Sequence, residues 1–140
     1  MEKPTITENS IRIPSSQDFL VDVDGFIEAR LEKQGVDKAV IADIAISVTE
    51  IVNNAIVHGN KSVIEKKVTV EISASNSDIE ITITDEGKGF DPDKIENPID
   101  DGNLLKEVGR GVFITRALMD EVNIESGDGG PTKVTLKKHI

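Results

Sequence analysis

The chain of 140 residues has no cysteine, no tryptophan and no tyrosine. Without cysteine there is no disulfide framework, no thiol nucleophile and no cysteine-bound zinc. Two histidines, His58 and His139, leave little room for a histidine-rich metal centre. Aromatic residues make up 3% of the sequence, all of them phenylalanine, so platforms for stacking nucleic-acid bases are scarce. Positive charge is also short: 16 Lys+Arg against 26 Asp+Glu give a formal net charge of −10. A phosphate backbone demands a clustered basic surface, and the lysines here are scattered, which argues against a direct nucleic-acid partner. The longest apolar runs are a few residues long, well below the ~20 needed to cross a bilayer, so no membrane association is expected. Met1-Glu2-Lys3-Pro4 leads into polar residues, so no signal peptide is expected either. These absences point to a cytoplasmic protein with one domain over residues 1–140, since a domain holds roughly 100–200 residues.

What is present is aliphatic. Hydrophobic residues are 37% of the chain, and 19 of them are isoleucine. Ile11 and Ile13 alternate with polar neighbours before Pro14 and read as a short strand. Ser15-Ser16-Gln17-Asp18 supplies a helix start, followed by Phe19, Leu20, Val23, Phe26, Ile27 and Leu31 at helical spacing and a stop at Gly35. Asp37 caps a second, long helix from Lys38 to His58, ended by Gly59-Asn60. Lys66 to Ala74 and the run containing Ile79, Ile81 and Ile83 alternate cleanly across Ser75-Asn76-Ser77-Asp78, a hairpin signature.

After Asp85, Gly87, Gly89, Pro92, Pro98 and Gly102 fall within sixteen residues and mark a long irregular connection. Asp91-Pro92 can cap one short helical turn inside it. Gly109-Arg110-Gly111 then opens a helix through about Asp120. Val122 to Glu125 and Thr132 to Lys138 complete the chain as strands. The order β-α-α-β-β-loop-α-β-β predicts an α+β two-layer sandwich, with the helices on one face of a mixed, mostly antiparallel sheet. No internal repeat, low-complexity tract or second domain is visible.

Three places carry chemistry. On a wheel of about 100° per residue with Glu50 at zero, Asn54 falls at about 40°, His58 at about 80° and Asn53 at about −60°. Ile41, Ile44, Val48, Ile51, Val52 and Ala55 occupy the opposite side. The polar face is either the solvated face of an amphipathic helix or a working surface. Adjacent asparagines are poor helix formers and need a reason. Asn54 can offer an oxygen to a hard cation such as Mg²⁺. Glu50 can take a proton from a hydroxyl or orient a water. His58 reads as a polar helix-end residue.

Asp85 shares strand parity with Ile79, Ile81 and Ile83, so it faces the core if they do. A buried carboxylate is costly unless donors meet it. Asp85 therefore either caps the glycine turn or receives a ligand donor such as an exocyclic amine. Gly87 and Gly89 suit both readings, because backbone without Cβ lets a flat ring approach. The third place is Gly109-Arg110-Gly111-Val112. A helix N-terminus presents free N–H groups that attract anions, and Arg110 adds a full positive charge. Neither a Walker A loop nor a Rossmann fingerprint occurs.

These three elements, in this order, resemble the GHKL ATPase superfamily. Glu50-Ile51-Val52-Asn53-Asn54-Ala55 is similar to its N box, Asp85-Glu86-Gly87-Lys88-Gly89-Phe90 to its first glycine box, and Gly109-Arg110-Gly111-Val112 to its second. The resemblance runs from about Ile11 to Leu136 and implies a Bergerat-type ATP-binding fold. Within the superfamily the chain resembles bacterial anti-sigma-factor serine-protein kinases, including His58-Gly59 trailing the N box. The resemblance implies ATP and Mg²⁺ as cofactors. It implies Asp85 as acceptor of the adenine amino group, Gly89 beside the ring and Thr132 assisting. Asn54 would help hold Mg²⁺, and Asn53, Gly87, Gly109, Arg110, Gly111 and Val112 would join the nucleotide site. Residues 91–108 would be a lid. Glu50 would act as general base toward a serine on an antagonist protein, with a sigma factor as second partner and a homodimer as the assembly. Two other readings fit the same boxes: a nucleotide-dependent binding module without transfer activity, and a detached histidine-kinase ATPase domain.

Overall fold

The structure is a computed structural model that describes residues 2–88, 104–126 and 129–140, with residues 104–108 as backbone. Gly89 and most of the expected lid, including the turn at Asp91-Pro92, lie outside the described residues. The elements are β1 (Thr5–Ile6), β2 (Ser10–Pro14), α1 (Leu20–Lys33), α2 (Lys38–Asn54), β3 (Lys67–Ala74), β4 (Asp78–Thr84), α3 (Leu104–Leu118), β5 (Glu121–Glu125) and β6 (Lys133–His139). The strands form one sheet in the order β1-β2-β3-β4-β6-β5.

Register follows from the aliphatic pattern. Ile11 faces Val70, Val70 faces Ile83, Ile83 faces Val134 and Val134 faces Ile124, one aliphatic row across five strands. Ile72, Ile81, Leu136 and Val122 make a parallel row. A one-residue slip would turn every member of these rows to the other face. Against the rows pack Val23, Ile27 and Leu31 of α1 and Ile41, Ile44, Val48, Ile51 and Val52 of α2, all buried. Each such side chain contributes about 1.5–3 kcal/mol when fully buried.

Local signals at the helix ends agree with the sequence. The Ser16 hydroxyl accepts from the Asp18 N–H, and Asp37 accepts from the Ala39 N–H. Gly35, at φ +79°, ends α1 in the left-handed region, while the Val36 N–H donates to the Leu31 carbonyl.

Four expectations change. Among the described residues every strand pair is antiparallel, so the sheet they form is not mixed. β4 and β5 run the same way, but β6 inserts between them. β1 adds a two-residue edge strand too short to register as a pattern. α2 does not run unbroken to His58: the α-helix ends at Asn54 and a π-turn, Ala55–Gly59, follows. Finally, α3 begins at Leu104, so Gly109-Arg110-Gly111 lies within the helix and does not open it. Leu104, Val108 and Val112 continue helical spacing upstream, and that pattern outweighs the ~1 kcal/mol that each glycine costs relative to alanine.

Lys38–Gly59, 22 residues long with hydropathy 1.6, meets the length and composition of a bilayer-crossing helix. It is the central helix of the domain, and its apolar face lies on the sheet.

At the far end of the sheet, His139 Nδ1 and Asp78 Oδ1 pair across β6 and β4. The hydrogen bond to Asp78 raises the His139 pKa above 6.5, aided by the charges of Asp78, Asp120 and Glu121 against desolvation. The same bond lowers Asp78 below 3.8. The His139 contribution is full below pH 6.5 and fades as pH rises through its raised value. The Asp78 contribution is present above pH 3.8 and fades as pH falls through its lowered value. In a proton NMR titration, Asp78→Asn is expected to move the His139 midpoint down toward 6.5. An unmoved midpoint would show that the pair does not form in solution.

Candidate functional site

Strand β4 exits the sheet at Asp85, which keeps the inward parity of Ile79, Ile81 and Ile83 and is 5% exposed. Its backbone N–H donates to the Thr132 carbonyl at 3.1 Å, continuing the ladder one step past Lys133. The return bond is different: the Thr132 N–H donates to the side chain of Asp85, at Oδ1, over 3.0 Å. The Gly87 N–H donates to the same oxygen at 2.9 Å. Oδ1 is thus held by two backbone donors, and the carboxyl group is oriented before any ligand arrives. The turn-cap and ligand-acceptor readings of Asp85 are both compatible here, because the cap uses Oδ1 and leaves Oδ2.

Oδ2 lies against Gly59, in the π-turn. A Cβ on Gly59 would stand 2.1 Å from it, and a Cβ on Gly87 would stand 2.1 Å from the Gly59 carbonyl oxygen. Both glycines are required by close approach. A cleft opens beside them, between the sheet, α2 and α3. Its walls are aliphatic, with Ile51, Ile83, Val112, Ile124 and Val134, and its polar lining comes from Asn54, His58, Asp85 and Thr132. A flat heterocycle bearing an amine suits such walls and such an acceptor.

Asn54 borders the cleft from α2. Among the described residues its buried amide nitrogen has no hydrogen-bond partner. Gly111 of α3 faces it so closely that a Cβ there would sit 2.8 Å from that nitrogen. Oxygen and nitrogen of a carboxamide are assigned from their network, so a flipped Asn54 presents an oxygen at the same place. An orphaned carboxamide beside a bare helix surface fits a role toward a hydrated, phosphate-borne Mg²⁺, which takes few protein ligands. Among the described residues no group of three or more His, Cys, Asp or Glu could hold a metal by itself.

The structure therefore brings together Asp85, Gly87, Asn54, Gly111, Val112 and Thr132. Thr132 also shares a 2.9 Å hydroxyl hydrogen bond with Ser126. Glu50 and Asn53 do not line the cleft. Glu50 is half-buried one turn before Asn54. The Asn53 Oδ1 accepts from Gln17 Nε2 at 2.7 Å and so ties α2 to the turn before α1. His58, read as a helix-end residue, lines the cleft. Gly109 is buried and Arg110 exposed, both inside α3 and away from a helix N-terminus. Sequence reasoning missed Asn60, a buried asparagine whose carboxamide joins three chain segments next to Asp85. Its adjacency to Gly59 reads as a helix stop, and no periodicity marks a single inward polar residue.

Comparisons with known proteins place the chain in a family. A sequence profile described as the histidine kinase-like ATPase domain matches residues 13–138. The chain is 37% identical over 102 residues to an anti-sigma F factor of Thermoanaerobacter sp. (strain X514), 71% of each chain. It is 25% identical over 136 residues to the serine-protein kinase RsbW of Oceanobacillus iheyensis, covering 93% of this chain and 85% of that one. The RsbU and RsbW domains of a Mycobacterium tuberculosis protein superpose with a TM-score of 0.65 at 22% identity. That match covers 98% of this chain and 32% of the solved one. The histidine kinase domain of a blue-light activated kinase from Erythrobacter litoralis superposes at 0.55, over 90% of this chain and 61% of the other, with 21% identity. These last two speak for the fold alone.

The three glycines give a paired test. Gly25, inside α1, has nothing within 4 Å of a would-be Cβ. Gly25→Ala is expected to stabilise the protein by about 0.5–1 kcal/mol in urea unfolding. Gly59→Ala and Gly87→Ala are each expected to cost about 1–3 kcal/mol or more. Equal effects at the three positions would contradict the tight packing around Asp85.

Proposed function

We propose, for a chain that belongs to the histidine kinase-like ATPase domain family, that it is a single-domain, ATP-dependent serine-protein kinase and anti-sigma factor. It is a relative of the anti-sigma F factors and of the serine-protein kinases named RsbW. The observation that carries the reading is the buried Asp85 carboxyl group, with one oxygen fixed by two backbone N–H groups, in a residue that lines an aliphatic cleft.

In this reading Asp85 accepts the exocyclic amine of adenine, Thr132 assists, and Gly87 and Gly89 give the ring room. When bound, ATP supplies the phosphoryl group to be transferred and Mg²⁺ neutralises charge on its phosphates. Asn54 would hold Mg²⁺ through its carboxamide, and Asn53, bonded to Gln17, ties down the helix that carries it. Gly109, Gly111 and Val112 present a low-profile helix surface toward the phosphates, and Arg110 adds positive charge. Because these residues lie mid-helix, phosphate attraction here rests on Arg110 and close approach, not on N-terminal amides. Glu50 receives the proton of the partner's serine hydroxyl as that oxygen becomes a nucleophile. The lid expected over residues 91–108 belongs to this proposal on the family resemblance alone.

The partners in this proposal are an antagonist protein bearing the acceptor serine, and a sigma factor bound in alternation with it. The homodimer, the cytoplasmic location and the absence of direct nucleic-acid or membrane contact belong to the same proposal. They rest on the family resemblance and on the acidic balance of the chain.

The test uses labelled ATP and a candidate antagonist protein. Acid-stable phosphate on the partner is expected, and Glu50→Gln should lower the transfer rate by about 10²-fold or more while ATP affinity holds. Undiminished transfer in Glu50→Gln would remove Glu50 from its role. ATP binding with no transfer would leave a nucleotide-dependent binding module, and acid-labile phosphate would indicate histidine-kinase chemistry.

A further inference from the structure

Asn60 follows the π-turn and is fully buried. Its Oδ1 accepts from the Glu86 N–H at 2.8 Å. Its Nδ2 donates to the Ser15 hydroxyl at 2.8 Å and to the Lys67 carbonyl at 3.0 Å. The Ser15 hydroxyl in turn donates to the Lys66 carbonyl at 2.6 Å. One carboxamide, with both hydrogens and its oxygen in use, therefore ties the end of α2 to the end of β2, the start of β3 and the exit of β4. The Glu86 side chain adds a second tie by accepting from the Lys67 N–H.

The backbone around Asn60 is unusual in two ways. The turn is wide: the Asn60 N–H donates to the Ala55 carbonyl at 2.7 Å, and the Ser62 N–H to the Ile56 carbonyl at 2.8 Å. Lys61 and Ser62 then stand at φ +55° and +58°, left-handed conformations that side chains with a Cβ rarely adopt. Such strain persists only where surrounding contacts over-determine it, and it concentrates at functional sites. Here the wide turn places Gly59 directly on Oδ2 of Asp85 and its carbonyl directly on Gly87. The Asn60 bond to the Glu86 N–H fixes the residue between Asp85 and Gly87. The strained turn and the carboxylate are thus held in one relative placement by a single side chain.

We propose that Asn60 is a positioning residue for nucleobase selection: it sets the Gly59 shelf against Asp85 so that Oδ2 faces the amine of the base. This rests on the adenine reading of the cleft given above. A merely structural Asn60 would lower stability and leave base selectivity untouched. A positioning Asn60 governs selectivity in protein that is still folded.

The experiment is calorimetric titration of the full chain with ATP and with purine riboside triphosphate, the same nucleotide without its 6-amino group. Each protein is measured at a temperature where its circular dichroism matches the wild type. Wild type is expected to prefer ATP by roughly tenfold or more, because the analogue leaves a buried acceptor unmet. Asn60→Ala and Asn60→Asp are expected to shrink that preference to within about threefold. Asn60→Asp keeps side-chain size and the acceptor for Glu86 N–H but loses both donations and buries a charge. Ser15→Ala removes one acceptor of the Asn60 amide without burying charge, is expected to shrink the preference in the same direction, and reports where neither Asn60 variant folds. Ile27→Val, a buried change in α1 away from the cleft, serves as the control and should keep the wild-type ratio. Folded Asn60 variants with undiminished preference would overturn the proposal. A wild type that binds both nucleotides equally would instead defeat the adenine reading, and this inference with it.

Discussion

A carboxyl group facing inward at the end of an aliphatic strand is the constraint on which the rest of this molecule turns. Left alone, Asp85 would be expensive to bury. The fold meets that cost locally, by bending Gly87 and Thr132 so that both backbone N–H groups reach Oδ1. Hydrogen bonds to a charged acceptor contribute about 1.5–3 kcal/mol each, which is enough to hold the side chain in one rotamer. The remaining oxygen then lies against Gly59, whose lack of a Cβ gives it room. Strand pairing and the placement of the carboxyl group are linked at this point, because β6 reaches Asp85 through the ladder that pairs Ile83 with Val134 and the Thr132 N–H holds Oδ1.

The helix layer supplies the other wall. α2 buries one aliphatic face on the sheet, and Asn54 at its end and His58 in the π-turn that follows line the cleft. Its ending matters more than its length. An ordinary α-turn to His58 would carry Gly59 along the helix axis; the π-turn swings it onto Asp85. Similarly, Gly111 lets α3 come within contact of Asn54, where any side chain would intrude. Close approach of backbone, not charge, explains why glycines at 59, 87 and 111 surround one carboxyl group and one carboxamide.

Much of this was legible in the sequence. Alternation in Ile79, Ile81 and Ile83 fixes the parity of Asp85, and parity survives folding because a slip would expose two complete aliphatic rows. The wheel over Lys38–Asn54 separates the buried and polar faces correctly. The boxes themselves identify the family. What escaped has physical reasons. A two-residue strand at Thr5–Ile6 has no period to detect. The start of α3 lies upstream because apolar spacing continues through Leu104 and Val108, while glycine merely weakens a helix. The π-turn inserts one residue into a turn, which periodicity over four residues does not resolve. Asn60 escaped because its burial depends on partners at Ser15, Lys67 and Glu86, distant in sequence and joined only by the completed sheet. Gly89, by contrast, falls outside the described residues.

The central claim, that Asp85 receives the amine of an adenine nucleotide, is tested most directly by calorimetric titration of ATP into wild type and Asp85→Asn protein of matched folded content. The account predicts saturable binding to the wild type and a loss of about tenfold or more in the variant, whose carboxamide replaces a charged acceptor. Equal affinity in the two proteins, or no heat of binding to the wild type, would contradict it.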